Sequence, residues 1–227
     1  MPLLLAGAKL TLIITVISVG NGCVLGLFAG LTRLSRSKTL RFLGTCYVDF
    51  FRGTPLLVQI FLVFFGLPAL LTEIQNWWHA SFGWPILVNR PMEPLTAAIV
   101  ACSLNSGAYI AEIFRAGVQS IERGQMEAAR SLGMTHAQAM RYVILPQAFK
   151  RVIPPLGNEF IAMLKDTSLV SAIGVEELTR RGTLVMAATY RPFEIYFSVA
   201  LVYLVITLSF SRLVDYAERR LKTGDRG

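Results

Sequence analysis

The sequence predicts an all-α membrane protein of five transmembrane helices, with its N-terminus outside and its C-terminus in the cytoplasm. Three observations carry that expectation. Hydrophobic residues make up 54% of the 227-residue chain and charged residues 16%, too apolar and too sparsely charged for an ordinary soluble domain. The apolar residues gather into runs of membrane-spanning length, about 20 residues each. The basic residues gather between those runs, so the net charge of +8 reads as membrane orientation. No nucleic-acid partner is expected, because the basic residues form no single patch with interleaved aromatics. A chain of this length holds about five spans with short connections and no sizeable soluble domain besides, so residues 1–227 are expected to form one transmembrane domain.

The first run, residues 10–31, is too long for the apolar core of a signal peptide and is followed by further spans, so it reads as a retained helix. Gly20, Gly22, Gly26 and Gly30 form a stripe along it at spacings near four, which lets another helix approach closely. Arg33, Arg36, Lys38 and Arg41 follow and place that connection in the cytoplasm. The second apolar element, residues 40–71, is longer than one bilayer crossing. A break is written into it at Arg52-Gly53-Thr54-Pro55, where Thr54 suits an N-cap and Pro55 the first position of a new helix. Beyond Thr72, the residues Trp77, Trp78, His79 and Trp84 suit a membrane–water interface, and the single Arg90 matches an outside loop.

The third span, residues 95–114, carries Asn105-Ser106-Gly107 at mid-length and Glu112 nearer its inner end. Residues 115–151 form a connection whose Arg115, Arg123, Arg130, Arg141, Lys150 and Arg151 make it strongly positive, hence cytoplasmic. The fourth span, residues 152–174, holds Glu159, Lys165 and Asp166 within an otherwise apolar run, and the fifth covers residues 193–214. Arg219, Arg220, Lys222 and Arg226 keep the tail inside. Arg180, Arg181 and Arg191 run against this scheme, because they fall in an outside connection, accompanied by Glu176, Glu177 and Glu194. Cys23, Cys46 and Cys102 lie in or beside apolar segments without ligand spacing, so they read as small core residues, with no disulfide framework and no metal site.

Within the cytoplasmic connection a helical run over residues 121–132 ends at Gly133, where a left-handed C-cap belongs. A second helix starts at Thr135, whose spacing to Gln138 makes a capping box, and Pro146 keeps it from running unkinked into the fourth span. A short helix with defined stops on the cytoplasmic face is shaped to be gripped by another protein. Ala128 and Ala129 would let that partner close on its backbone.

Glu127-Ala128-Ala129, Gly133, Val143 and Leu145-Pro146, at their spacings, resemble the EAA motif of ABC importer permeases, with Val143 where isoleucine is usual. The resemblance extends over nearly the whole chain. Arg52-Gly53-Thr54-Pro55-Leu56-Leu57-Val58-Gln59, Asn105-Ser106-Gly107-Ala108-Tyr109-Ile110-Ala111-Glu112-Ile113, Arg141-Tyr142-Val143-Ile144-Leu145-Pro146, Pro154-Pro155-Leu156-Gly157-Asn158 and Lys165-Asp166-Thr167-Ser168-Leu169 are similar to the polar amino acid permease family, most of all to its glutamine-type members. The resemblance implies a five-helix permease subunit in a prokaryotic plasma membrane. It implies as partners a second permease subunit (the same chain or a homologue), two cytoplasmic ATP-binding subunits, an extracytoplasmic amino acid-binding protein and a polar amino acid substrate. It also places Arg123, Glu127, Ala128, Ala129, Arg130 and Gly133 at the ATPase contact, although the three charges read equally as ordinary solvated residues.

No Gly-x-x-x-x-Gly-Lys-Ser/Thr stretch occurs, so no P-loop is present, no catalytic residue or cofactor is expected, and ATP hydrolysis belongs on a separate chain. Acids within a membrane segment are costly, which makes them functional by default. Glu159 and Asp166 are two helical turns apart and share a face, where they can receive an amino group or a polar side chain. A half-helix starting at Thr54 and Pro55 offers free N–H groups and a positive dipole end to a carboxylate, and Asn105 and Ser106 add hydrogen bonds. Plainer roles stand beside these: a Lys165 pairing for Asp166, a structural pairing for Glu159, simple capping for Thr54, and interhelical bonding for Asn105 and Ser106. The expected function is ATP-driven import by alternating access. An ion-coupled secondary transporter is the chief alternative, yet it leaves the capped cytoplasmic helix without a role and shows no inverted repeat. A membrane scaffold would explain neither Glu159 nor the broken helix.

Overall fold

The computed structural model describes residues 2–35, 37–83, 85 and 92–222. Arg36, Trp84, Arg90 and Arg226, which contribute to the orientation and interface expectations, lie outside the described residues, as does the side chain of Lys222. Every described element is helical: α1 (Pro2–Leu34), α2 (Lys38–Gly53), α3 (Leu56–Phe61), α4 (Leu67–Phe82), α5 (Pro94–Gln119), α6 (Arg123–Ser131), α7 (His136–Ala139), α8 (Leu145–Asp166), α9 (Leu178–Thr189) and α10 (Pro192–Lys222). A π turn, Leu62–Gly66, joins α3 to α4, and a second, Met140–Ile144, joins α7 to α8. A 3₁₀ segment, Thr167–Ile173, extends α8.

Four of the described helical segments, and not the five expected, are long and apolar enough to cross a membrane: Pro2–Leu34, Leu56–Phe82, Pro94–Gln119 and Pro192–Arg220. The exception is α8, and the reason is its composition. Lys150, Arg151, Glu159, Lys165 and Asp166 lie along it, with Pro154 and Pro155 inside. Beyond Thr72 the chain stays helical, because α4 continues through Trp77, Trp78 and His79 to Phe82, and Gly83 caps it with a φ of +68°. The segment holding Arg180 and Arg181 is a further helix, α9, and Arg181 is paired with Glu176 at 2.8 Å.

The glycine stripe does what its spacing predicts. α1 packs along α5, and a Cβ on Gly26 would lie 2.7 Å from Ile110 Cγ2 and 2.8 Å from the Gly107 carbonyl oxygen. Gly22 faces Ser106 and Gly30 faces Ala111, but Gly20 has open space around it and takes no part. This close approach makes α5 the central helix. Its Ala97, Ala98, Ala101, Cys102 and Ile110 sit in one core with Ile14, Ile60, Met163 and Val170 of the surrounding elements. Cys102 is buried as expected, whereas Cys46 is exposed and is no core residue.

The break in the second element is real but shifted by one residue. α2 ends at Gly53, Thr54 is extended, and Pro55, also extended with ψ 137°, takes the N-cap position of α3. Thr54 is therefore the C-cap of α2 and not the N-cap of α3. Its hydroxyl donates to the Phe50 carbonyl at 2.8 Å, back into α2. Gln59 holds the break closed, its amide nitrogen lying 2.8 Å from the Phe51 carbonyl oxygen and 2.9 Å from both oxygens of Thr54.

Candidate functional site

The break, α5 and α8 meet around a cavity of about 350 Å³ lined by Thr54, Pro55, Leu56, Asn105, Tyr109, Glu159 and Asp166, among others. Four of the five residues expected at a substrate site thus share one cavity. The fifth, Ser106, stands behind it and donates to Glu159 Oε1 at 3.0 Å. The seven-residue spacing on α8 is what turns Glu159 and Asp166 to the same side.

These side chains differ in how fully they are occupied. Asn105 is buried and its amide donates to Gln59 Oε1 at 2.9 Å, the interhelical bond that was the plainer alternative. Ser106 likewise serves a neighbouring helix. Glu159 is half-buried, and Ser106 is its one hydrogen-bond partner among the described residues. Asp166 makes no hydrogen bond, and no ion pair within 4.0 Å, among the described residues, although the neighbouring Lys165 charge acts on its carboxylate. An ionised carboxylate has about four acceptor positions, and these two acids therefore keep most of theirs open to the cavity.

The start of α3, where Thr54, Pro55 and Leu56 line the same cavity, contributes a different kind of group. The first N–H groups of a helix have no intrahelical acceptor, and no side chain caps α3. With Thr54 committed to Phe50 and Gln59, the α3 start keeps its donors and its share of the helix dipole free at the cavity. A space of this size lined by carboxylates and by backbone donors suits a small zwitterion.

The second expected site is the capped helix. α6 spans Arg123–Ser131, and Gly133 follows with φ +85°. Gly133 N–H donates to the Arg130 carbonyl and Met134 N–H to the Ala129 carbonyl, which closes the helix end. Thr135 and Gln138 form both bonds of the expected capping box. Arg123, Glu127, Ala128 and Arg130 are exposed on this unit, and Arg130 donates to the Met134 carbonyl at 3.1 Å. Ala129, unlike these, is buried within its own chain. Leu132 is 83% exposed, a large apolar side chain on this unit that its sequence context does not single out.

Gln59 and Tyr109 were also missed as site residues. Both sit inside stretches whose composition is that of ordinary helix, and only the fold brings them to the break and the cavity. Tyr47 is a third: its hydroxyl donates to the Leu104 carbonyl at 2.7 Å and lies where a Cβ on Gly107 would meet it at 2.6 Å, which fixes α2 on α5 beside the cavity.

Comparison with known proteins adds three findings. Residues 22–223 match the family of binding-protein-dependent transport system inner membrane components. Over 221 residues, 97% of this chain and 94% of the relative, the chain is 42% identical to the glutamine transport system permease protein GlnP of Escherichia coli (strain K12). It is 37% identical to the arginine transport system permease protein ArtQ of Bacillus subtilis (strain 168) over 225 residues, 99% of this chain and 94% of the relative. Among solved structures, a crystal structure of an amino acid ABC transporter with histidines matches at a TM-score of 0.83 and 45% identity, covering 96% of this chain and 94% of that one.

Proposed function

This chain belongs to the family of binding-protein-dependent transport system inner membrane components, and from that premise we propose that it is the permease subunit of an ATP-driven importer that passes a polar amino acid inward by alternating access. The observation that carries the substrate class is the cavity of about 350 Å³ between the uncapped start of α3 and the open carboxylates of Glu159 and Asp166. An α-amino acid carries both charges. Its carboxylate would meet the α3 start, and its ammonium or a cationic or amide side chain would meet the acids on α8.

In this reading α8 crosses the membrane as well, although it is too charged to face lipid. Packed against α5 and α10, it turns its acids to the cavity instead. The N-terminus then lies outside, and α6 and the C-terminus lie in the cytoplasm, a setting in line with the positive charge of residues 115–151. α6, with Arg123, Glu127, Ala128, Arg130 and the Gly133 stop, is the part gripped by a cytoplasmic ATP-binding subunit. Two such subunits, a second permease chain and an extracytoplasmic amino acid-binding protein complete the assembly. ATP is hydrolysed on the separate chain, and the permease itself does no covalent chemistry.

The substrate is a neutral amide-bearing or a cationic amino acid. The relatives named for glutamine and for arginine both align over nearly the full chain, so the choice between them lies in local differences around the acids. Uptake into proteoliposomes containing the permease, its ATPase and its binding protein tests the proposal, with glutamine, arginine, histidine and glutamate offered in turn. ATP-dependent accumulation of one of them is expected. Accumulation driven by a proton or sodium gradient without ATP would instead establish the ion-coupled alternative.

A further inference from the structure

On the side of Tyr109 nearer α6 lies a second cavity, of about 420 Å³, lined by Arg52, Tyr109, Glu112, Ser120, Arg151 and Pro155 among others. Tyr109 lines both cavities, so the two spaces adjoin at its side chain. The charge in this second space does not balance. Glu112 is its one carboxylate among the lining residues, and two guanidinium groups from outside the lining already hold it. Arg33 pairs with it at 2.6 Å, and Arg115 grips both of its oxygens. Arg151 is bonded to the Ser120 carbonyl.

Arg52 is the surplus cation. Its nearest carboxylate oxygen, on Glu112, is 4.0 Å away, and it makes no hydrogen bond among the described residues. Its guanidinium lies 5.5 Å from the Tyr109 ring centre, a cation–π distance that orients the fork without using any of its donors. An arginine held this way, 42% exposed and beside a carboxylate already saturated, is prepared for a second, mobile carboxylate, which its planar fork binds in bidentate fashion. It also stands three residues before Pro55, where the uncapped helix start faces the central cavity.

We propose that Arg52 and Tyr109 form a second, cytoplasm-facing station that binds the α-carboxylate of the amino acid after it leaves the central cavity. The proposal rests on the importer reading above. The carboxylate passes from the α3 backbone donors to the Arg52 fork around the Tyr109 ring, so it is never carried without a positive partner. The same station is open to amino acid already in the cytoplasm. Occupancy from that side opposes further release, which makes the permease itself sensitive to accumulated product.

The test uses the full assembly in proteoliposomes, with ATP and the ATPase subunits on the luminal side. Uptake of the transported amino acid is measured against increasing luminal concentrations of that amino acid or of its decarboxylated counterpart: agmatine for arginine, histamine for histidine, 4-aminobutanamide for glutamine. Each rate is normalised to uptake into empty vesicles. The amino acid is expected to inhibit from the lumen and the counterpart is not, a comparison made entirely in the unaltered protein. Arg52→Gln should raise the half-inhibiting luminal concentration about tenfold, the loss of one charge-assisted bond pair, and Arg52→Lys should fall between. Equal inhibition by amino acid and amine, no inhibition by either, or an unchanged inhibition curve in Arg52→Gln would overturn the station. Absence of any ATP-driven uptake would instead count against the importer reading, so the two failures are distinguishable.

Discussion

Two glutamates of this chain, Glu159 on α8 and Glu177 at the start of α9, show that burial alone does not mark a functional acid. Glu177 is the more deeply buried, with no exposed surface, yet its carboxylate is filled. It accepts from the Thr179 and Arg180 backbone N–H groups at 2.9 and 2.8 Å, from the Tyr203 hydroxyl at 2.9 Å and, at 3.5 Å, from Thr11. It caps α9 and fastens it to α1 and α10. Glu159 has one partner, Ser106, and an open cavity in front of it. The unfilled acceptor positions, more than the loss of solvent, separate an acid that holds the fold from one that is free to hold something else.

Substitutions at the two sites sharpen or break this contrast, and the largest effect belongs to the filled acid. Glu177→Ala removes an N-cap, leaves two backbone donors unpaired and takes one of the two partners of the Tyr203 hydroxyl, which keeps Thr179, so it should destabilise the fold by about 3 kcal/mol. Thermal unfolding of the detergent-solubilised protein measures it, and a melting temperature equal to wild type would dissolve the distinction. Glu159→Gln keeps size and should leave that melting temperature nearly unchanged. Transport should fall about tenfold or shift in substrate preference, the effect of one charge-assisted contact, with the ATPase still bound. Unaltered rate and selectivity in proteoliposomes would leave the carboxylate without its role.

Gly133→Val moves a third region and touches neither acid. A β-branched residue at φ +85° is strained by about 1–2 kcal/mol, although no neighbour would clash with its Cβ. Loss of coupled transport, or release of the ATPase on copurification, is expected with both glutamates still in place. Undiminished coupling would argue against α6 as the docking helix. The smallest effect is expected for Ser106→Ala, which strips Glu159 of its partner. A several-fold change in the apparent affinity for substrate, read from uptake against concentration, should appear without a change in assembly.

How much of this was legible in the sequence depends on the range of the signal. Local rules read well: the capping box at Thr135, the positive-φ stop at Gly133, the glycine stripe of α1 and the break near Pro55 are each set by residues within a turn or two of one another. The one-residue error at the break came from Thr54, which looks like an N-cap in isolation but turns its hydroxyl back to the Phe50 carbonyl, where Gln59, five residues on, also holds it. α8 falls outside the four apolar spans because five charged residues lie along it, the very groups that a crossing helix carries only where they face protein or a cavity. The acids of the site were found by their cost in a membrane, whereas the saturation of Glu177 was invisible, since its partners Thr11 and Tyr203 lie 166 and 26 residues away. That Ala129 is buried and Ala128 exposed was invisible for a similar reason, because their adjacency in sequence says nothing of which one faces inward.

The π turn at Met140–Ile144 has a consequence for inheritance by insertion and deletion. It places one residue more in its turn than an α-helix would, immediately ahead of the helix that carries Glu159 and Asp166. A π turn takes that residue up within itself, whereas each residue of a regular α-helix advances the azimuth by about 100°. Loss of one residue at the turn would let the backbone relax to α-geometry with α7 and the acidic face keeping nearly the same phase. The same loss inside α8 ahead of Glu159 has no such turn to absorb it. It would leave the caps and the acids in the chain but turn the acids about a quarter turn relative to the connection that precedes them.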